Sequence, residues 1–301
     1  MQIVDSHAHF FGPAFFGTLA AASPLPGTVE ERLALLADRL AIDLPSSDPA
    51  LHLQRWLADL DDKGVDHAVC IAGHRGEADE LADVLELAGD RLTGIATVDP
   101  TRDSPAEVRR LLSDAGFRGI ALFPALHGFE IDGEAARSHY AVLAEFDAAC
   151  YVHCGELNVR IERALDLAPS LRPTLATPLA IVPVACDFPS VPFIVPRLGS
   201  GFLRETMMAG AQCENILVDT SSRHTWLEAQ VPKIRLADVL ERVLAIFGTE
   251  RILFGTGSRT FPVGWRVECL DRQKTCFSAC GLSDEGMAQI FAGNALRLFG
   301  N

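Results

Sequence analysis

Eight short apolar runs alternate with longer stretches of helical character along this 301-residue chain. The candidate strands span residues 2–6, 66–72, 92–98, 118–123, 150–154, 192–196, 215–219 and 251–255. The helical stretches span residues 50–63, 77–89, 104–115, 133–148, 200–213, 235–248 and 284–299. Strands that are apolar on both faces and are followed by helices form parallel sheets covered by helices. Eight such units predict an α/β fold, a (β/α)8 TIM barrel, as a single domain over residues 1–301.

Two stretches interrupt this alternation. Residues 10–50 follow the first strand and are rich in Ala, Gly and Pro, and residues 157–191 follow the fifth strand and contain five prolines. Loops that follow barrel strands lie at the C-terminal face of the barrel, where active sites are found. We therefore expect long loops after strands 1 and 5 that shape the specificity of a site at this face.

Composition excludes several classes of function. The formal net charge of −14 argues against nucleic acid and anionic membrane surfaces as partners. No run of about 18 apolar residues predicts a membrane span, and the N-terminus lacks the pattern of a secretory signal, so we expect a cytoplasmic protein. The eight cysteines form no CxxC pair and are expected to be reduced. Phosphate-binding glycine loops and a GxSxG nucleophile elbow are also absent from the sequence.

The first strand ends in the sequence DSHAHF, which contains His7 and His9. Side chains two residues apart on a strand point to the same side, so both imidazoles are expected at the C-terminal end of strand 1 on one face. His153 ends strand 5 in the sequence YVHCGE. Across the mouth of a barrel these three histidines could form a metal site with an open position. Imidazole suits zinc best, although manganese, iron, cobalt or nickel also accept it.

Motifs along nearly the whole chain carry a resemblance to a known family. They are DSHAHF at 5–10, GFRGIALFP at 116–124, YVHCGE at 151–156, FIVPRLGSGFLRE at 193–205, NILVDTSS at 215–222, ILFGTGS at 252–258 and IFAGNALRLFG at 290–300. The chain resembles the amidohydrolase superfamily, in the amidohydrolase-2 branch that includes aminocarboxymuconate-semialdehyde decarboxylase and related decarboxylases, hydratases and hydrolases. The resemblance implies a barrel with one divalent metal, ligated by His7, His9 and His153. It also implies a strand-8 aspartate that ligates the metal and activates water, and a strand-6 histidine that assists.

The chain departs from this pattern at two essential positions. Arg197 stands where the family carries the strand-6 histidine, and Gly257 stands where it carries the strand-8 aspartate. The strand-4 lysine of some relatives is also replaced, by Ala121. Glycine at 257 removes an anionic ligand and a general base, whereas three neutral histidines can still hold zinc. Arginine cannot act as a base, but it can hold a carboxylate or stabilise an oxyanion.

Three carboxylates are candidates to replace functions of the missing groups. Asp219 ends strand 7 and has either a catalytic or a helix-capping role. Glu156 follows strand 5 and could face the ligand. Asp5 shares the face of His7 but lies deeper, so we expect it to orient an imidazole. Together with Arg197, Asp219 and Glu156 are the predicted catalytic residues.

Substrate contacts are predicted from loops at the C-terminal face. Arg197 and Arg259 could bind an anionic group, and His127 follows strand 4 on the same face. A solvated loop residue is the alternative for both Arg259 and His127. His224 follows strand 7 and is expected at the surface.

Two functions remain open from the sequence. The first is a metal-dependent hydrolase or decarboxylase that acts on a small, acidic, carboxylate-bearing molecule. The second is a non-catalytic or metal-depleted barrel that binds a small anionic ligand, because Arg197 and Gly257 replace catalytic groups. The family resemblance also suggests a homodimer.

Overall fold

Eight parallel strands, hydrogen-bonded in chain order, form the sheet of the computed structural model, which describes residues 1–300. The strands are β1 (Val4–Ala8), β2 (His67–Ile71), β3 (Leu92–Val98), β4 (Gly119–Leu122), β5 (Ala149–Val152), β6 (Phe193–Val195), β7 (Ile216–Asp219) and β8 (Ile252–Leu253). Each lies within one of the eight predicted runs or shares most of its residues with it. The predicted TIM barrel is confirmed.

Backbone hydrogen bonds close the barrel between β1 and the segment after β8. The amide of Ser6 donates to the carbonyl of Phe254 over 2.8 Å, and the amide of Gly257 donates to that of His7 over 2.8 Å. The amide of His9 donates to the carbonyl of Ser258, also over 2.8 Å. These bonds bring the ILFGTGS segment directly beside His7 in β1 and His9 just after it.

Fourteen α-helices accompany the strands in the described chain. They are α1 (Pro13–Ala22), α2 (Val29–Leu40), α3 (Pro49–Asp62), α4 (Ala78–Ala88), α5 (Pro105–Ser113), α6 (Pro124–His127), α7 (Glu134–Glu145), α8 (Arg160–Ala164), α9 (Ile181–Asp187), α10 (Leu203–Gln212), α11 (Leu236–Phe247), α12 (Val267–Ala279), α13 (Asp284–Ala288) and α14 (Asn294–Phe299). The seven predicted helical stretches correspond to α3, α4, α5, α7, α10, α11 and the α13–α14 pair. Helix α12 lies where no helix was predicted.

The two stretches expected to be long loops are largely helical. Residues 10–50 contain α1 and α2, and residues 157–191 contain α8 and α9. Helix α2 begins with a capping box, in which the Thr28 side chain accepts from the Glu31 amide and the Glu31 carboxylate accepts from the Thr28 amide. Helices α1, α2 and α8 share a small apolar cluster of Phe11, Phe15, Phe16, Leu36, Ile161, Ala164 and Leu165. We call these three helices the lid.

Apolar side chains fill the barrel interior, and a second layer packs the strands against the surrounding helices. The interior cluster includes Val4, Val69, Ile71, Ile95, Ala121, Tyr151, Ile194, Leu217 and Leu253. Helix α14 contributes Ala295 and Phe299 to this cluster, and the Phe299 ring stacks on Tyr151 with centroids 6.2 Å apart. The Thr93 hydroxyl, near the start of β3, donates to the Phe299 carbonyl, so α14 covers the end of the interior at which the strands begin.

No helix within residues 1–300 is long and apolar enough to cross a membrane. All eight cysteines are free thiols.

Candidate active site

His7, His9 and His153 line one cavity at the C-terminal mouth of the barrel. All three side chains are buried, and the rings of His7 and His9 meet edge to face with centroids 5.2 Å apart. The ring of His153 stacks on Phe123 at 5.5 Å. The cavity has a volume of about 70 Å³, and Phe11, with other apolar side chains, forms part of its wall.

Asp219 fixes the imidazole of His7. The Nδ1–H of His7 donates to Oδ2 of Asp219 over 2.7 Å, and Oγ of Ser221 lies 3.1 Å from the same nitrogen. The other oxygen of Asp219 accepts from the amides of Arg197 and Ser221. Burial opposes ionisation of this carboxyl, but the charge of His7 and these hydrogen bonds outweigh it and lower the pKa of Asp219. Asp219 therefore stays ionised, and it leaves Nε2 of His7 available.

His9 and His153 are held as neutral imidazoles. The Nδ1–H of His9 donates to the carbonyl of Ile71 over 2.8 Å, which leaves its Nε2 with a lone pair. Burial, together with the charges of His7 and Arg197, lowers the pKa of His9 well below its usual value. Burial and the charge of Arg197 lower the pKa of His153 to about 3. Nε2 of His153 is buried and has no hydrogen-bond partner.

Asp5 has a different role from the predicted one. Its carboxylate accepts from the amide of His7, from the amide and hydroxyl of Thr256, and from Nε1 of Trp265 over 2.8 Å. Within residues 1–300 it hydrogen-bonds no imidazole, so the expectation that Asp5 orients one is wrong, because both its oxygens are taken by backbone amides, a hydroxyl and an indole. Burial raises the pKa of Asp5 to about 6. Asp5 thus braces β1 against the segment after β8, and Asp219 is the carboxylate that orients His7.

Arg197 enters the cavity from a strained turn after β6. Its φ of 56° and the φ of 54° at Leu198 lie in the left-handed region, within the turn Pro196–Gly199. The bond from its amide to Asp219 holds this conformation. Strain of this kind persists where the surroundings enforce it, often at functional sites. Burial lowers the pKa of Arg197, and its Nε has no hydrogen-bond partner.

Gly257 leaves room at the position where the family pattern has a carboxylate. Its φ is +66°, and a Cβ placed there would lie 3.8 Å from the Ser222 amide and 4.0 Å from Nη1 of Arg266. The Gly257 carbonyl accepts from that Arg266 nitrogen over 3.1 Å. A guanidinium therefore occupies the space beside the missing side chain.

Only some of the remaining predicted site residues line the histidine cavity. Arg259 lines the histidine cavity, as does Arg197. Glu156 is exposed and lines a neighbouring cavity that the histidines do not reach. His127 lies at the end of α6 and lines neither cavity, although its neighbour Leu126 does. The structure therefore brings His7, His9, His153, Arg197 and Arg259 together and leaves Glu156 and His127 outside.

His224 is buried, so the expectation of a surface residue is wrong. Its Nδ1 lies 2.9 Å from the guanidinium of Arg272, and α12 covers it. Four residues at the mouth were missed by sequence reasoning: Arg160, Ser221, Arg223 and Arg266. They belong to no strand, and no spacing in the sequence links them to the histidines.

The family resemblance implies a divalent metal, and the donor chemistry of the three histidines fits one. His9 and His153 are neutral, and an unpartnered buried nitrogen such as Nε2 of His153 is a typical ligand atom. Within residues 1–300, however, no three His, Cys, Asp or Glu side chains converge closely enough in this conformation to hold one ion. Metal binding would therefore require the three imidazole rings to move closer to one another.

The family model named Amidohydrolase, of the Amidohydro_2 type, matches residues 4–300. The chain belongs to the amidohydrolase family. No curated protein sequence matches this amidohydrolase. The match confirms the family resemblance that the motifs indicated. Its range also covers the two motifs that contain Arg197 and Gly257.

Solved structures share the fold of this amidohydrolase. The 2,6-dihydroxybenzoate decarboxylase from Rhizobium is 19% identical with a TM-score of 0.63, and 99% of each chain is covered. A mutant 5-carboxyvanillate decarboxylase from Novosphingobium aromaticivorans, with bound manganese and 3-methoxy-4-hydroxy-5-nitrobenzoic acid, is 17% identical with a TM-score of 0.67. That match covers 100% of this chain and 97% of the other. A putative 2-pyrone-4,6-dicarboxylic acid hydrolase from Pseudomonas putida is 18% identical with a TM-score of 0.61, covering 99% and 97%.

Proposed function

We propose that this amidohydrolase is an enzyme that decarboxylates or hydrolyses a small carboxylate-bearing molecule at the mouth of its barrel. The observation that carries the proposal is one buried cavity lined by His7, His9, His153, Arg197 and Arg259. Neutral imidazoles supply lone pairs, and guanidiniums bind carboxylates through paired hydrogen bonds. Similar proteins that act on aromatic acids support the choice of substrate class.

His7, His9 and His153 are the proposed ligands of one divalent metal. Zinc is the ion that three histidines favour, and manganese, which is bound in a similar decarboxylase, is the second choice. When bound, such an ion supplies Lewis acidity that polarises a substrate oxygen. Asp219 would hold the orientation of His7 through the 2.7 Å bond to Nδ1.

The remaining groups of the cavity would bind and orient the substrate. Arg197 and Arg259 are proposed to hold its carboxylate and to stabilise negative charge that develops during the reaction. Phe123 and Phe11 offer apolar surface to the rest of the molecule. Phe11 and Phe15 of the lid cluster form part of the cavity wall and would limit the access of water, which would strengthen these electrostatic contacts. Glu156 is proposed as a proton donor or acceptor for a substrate that extends into the neighbouring cavity.

The second candidate is a barrel that binds an anionic molecule without turning it over. Two observations favour it: Gly257 supplies no carboxylate, and a guanidinium, not an acid, lies beside it. Arg197 also places positive charge near His9 and His153, which opposes a divalent cation. Metal analysis separates the two candidates.

The first experiment is metal content by mass spectrometry, on untagged protein prepared without chelators and then incubated with zinc or manganese. We expect about one equivalent in the unmodified protein and a loss of it in His7→Ala and His153→Ala. His67→Ala is the matched control, because His67 lies at the start of β2 and bonds Thr93 and Asp90. Carbon dioxide release from aromatic carboxylates then tests turnover. If the protein bound no metal under any of these conditions, the proposed metal-dependent enzyme would be contradicted. The barrel that binds an anion without turnover would then be the remaining candidate.

A further inference from the structure

A second cavity of about 290 Å³ adjoins the histidine cavity, and arginines dominate its lining. Arg197 and Arg259 line both cavities and so form the boundary between them. The charged residues around the second cavity are Arg160, Arg197, Arg223, Arg259, Arg266 and Glu156. We call this the arginine cavity. The lining therefore contains five guanidinium groups and one carboxylate, in a protein whose formal net charge is −14.

None of these five guanidiniums forms an ion pair with another residue in the described part of the chain. Arg266 donates to the Gly257 carbonyl, which carries no formal charge. Glu156 is exposed and can be satisfied by water. Crowded like charges repel one another, and burial and the neighbouring Arg266 and Arg197 lower the pKa of Arg259 to about 10. An anion in the cavity would relieve this repulsion.

Three residues that line the same cavity carry buried polar atoms without a hydrogen-bond partner, and this observation is independent of charge. Nε of Arg197, Oγ of Ser200 and Nε1 of Trp226 are buried and have no hydrogen-bond partner. Ser200 and Trp226 are only 5% and 4% exposed. Buried polar groups normally find partners, because leaving one unpaired costs about 1–3 kcal/mol. A ligand with several acceptor oxygens would supply them.

We propose that the arginine cavity binds a doubly charged phosphate group, as in a phosphate monoester. A phosphate dianion offers three acceptor oxygens and two negative charges, which match several guanidinium forks better than one carboxylate does. The inference deepens the proposed function, on which its catalytic meaning rests: a substrate that spans both cavities carries its phosphate at the arginines and its reacting group at the histidines. Binding of phosphate itself requires neither metal nor turnover.

Titration calorimetry of the metal-free protein with inorganic phosphate, at low ionic strength and about pH 8, tests the proposal. We expect saturable binding that weakens at least about tenfold in Arg160→Ala/Arg223→Ala, because each removes a charged hydrogen-bond donor. Arg204→Ala/Arg242→Ala is the control with the same change in charge, since both residues lie on the outer helices α10 and α11. It should bind phosphate within about twofold of the unmodified protein.

Two further probes make the result decisive. Acetate, a monoanion, and malonate, a dicarboxylate, should bind more weakly than phosphate. The proposal is overturned if the unmodified protein shows no saturation by phosphate, if malonate binds more tightly, or if both double variants lose binding equally. Normal phosphate binding in a protein that holds no metal and turns nothing over would refute the proposed enzyme but not this inference.

Discussion

At the scale of single residues, the site depends on one carboxylate and one missing side chain. Asp219 joins the imidazole of His7 to the backbone of Arg197, so two groups that are far apart in sequence share one anchor. Gly257 lies beside them and closes the barrel through its amide, but it brings no ligand atom. Sequence reasoning placed His7 and His9 on one face because side chains alternate along a β-strand with a strict period of two, and it added His153 because that residue ends strand 5. Sequence reasoning assigned the orienting role to Asp5 because the sequence does not show which strand lies opposite His7.

Replacing Gly257 with Asp should increase the affinity for a divalent metal by roughly tenfold or more, because it adds an anion beside the three imidazoles. The side chain has room, but the left-handed backbone, with φ at +66°, should cost about 1 kcal/mol of folding free energy. Competition with a metal-binding dye measures the affinity.

Gly116→Asp is the matched control for this change. Gly116 has a φ of +71° with open space around it, and it lies between α5 and β4, away from the mouth. It should carry the same backbone cost and leave metal affinity unchanged. Equal metal affinities in the two variants would show that position 257 does not reach the ion.

At the scale of elements, the lid is tied to the barrel through a buried acid. Glu77 is fully buried, and its carboxyl group accepts from the amide of Gly12, just before α1, and from that of Gly73, just after β2. Burial raises the pKa of Glu77 to about 8. The group is therefore protonated more readily in the folded state than in the unfolded chain, where its pKa is near 4.5.

This shift predicts a pH-dependent loss of stability. The contribution of Glu77 is complete below about pH 4.5 and is lost as the pH rises towards about 8, because the unfolded chain releases this proton while the folded state still holds it. We expect the difference in unfolding free energy between the unmodified protein and Glu77→Gln to change by a few kcal/mol across this range, on the order of 1.4 per pKa unit. Urea unfolding between about pH 5 and pH 9 measures it. A difference that does not vary with pH would contradict the assignment.

Sequence patterns located the barrel elements better than the lid. Buried parallel strands are continuous apolar runs between turns, so all eight were found. Residues 10–50 were expected to be a loop because their Ala, Gly and Pro content hid α1 and α2. Helix α12 was missed because the polar side chain of Gln273 interrupts the buried stripe that Cys269, Leu270 and Phe277 form at helical spacing. The arginine cavity depends on loop conformations, which no local pattern encodes.

At the scale of the whole molecule, the barrel has one sealed end and one functional end. Helix α14 fills the first with Phe299, whose ring stacks on Tyr151 from β5. The functional end concentrates positive charge at the mouth of a protein that is acidic overall. Anions are therefore attracted to the mouth and repelled by the rest of the surface.

Removing the aromatic seal should destabilise the entire barrel. Phe299→Ala deletes a side chain that is 2% exposed, and we expect a loss of about 3–5 kcal/mol in unfolding free energy. Leu296→Ala on the same helix is the control, because Leu296 is 36% exposed and should cost much less. Urea denaturation compares them. Similar losses in the two variants would show that α14 contributes to stability without sealing the interior.

The size of the histidine cavity has a kinetic consequence. Its volume is about 70 Å³, and Phe11 and Phe15 of the lid cluster form part of its wall. A substrate that reaches the three histidines would pass these rings, and movements of α1, α2 and α8 that shift the rings would widen the entrance. We therefore expect the rate of association to depend on how often these helices separate as well as on how often a molecule collides with the mouth. Product would leave by the same path, so the packing of Phe15, Phe16 and Leu36 should affect the rates of both association and release.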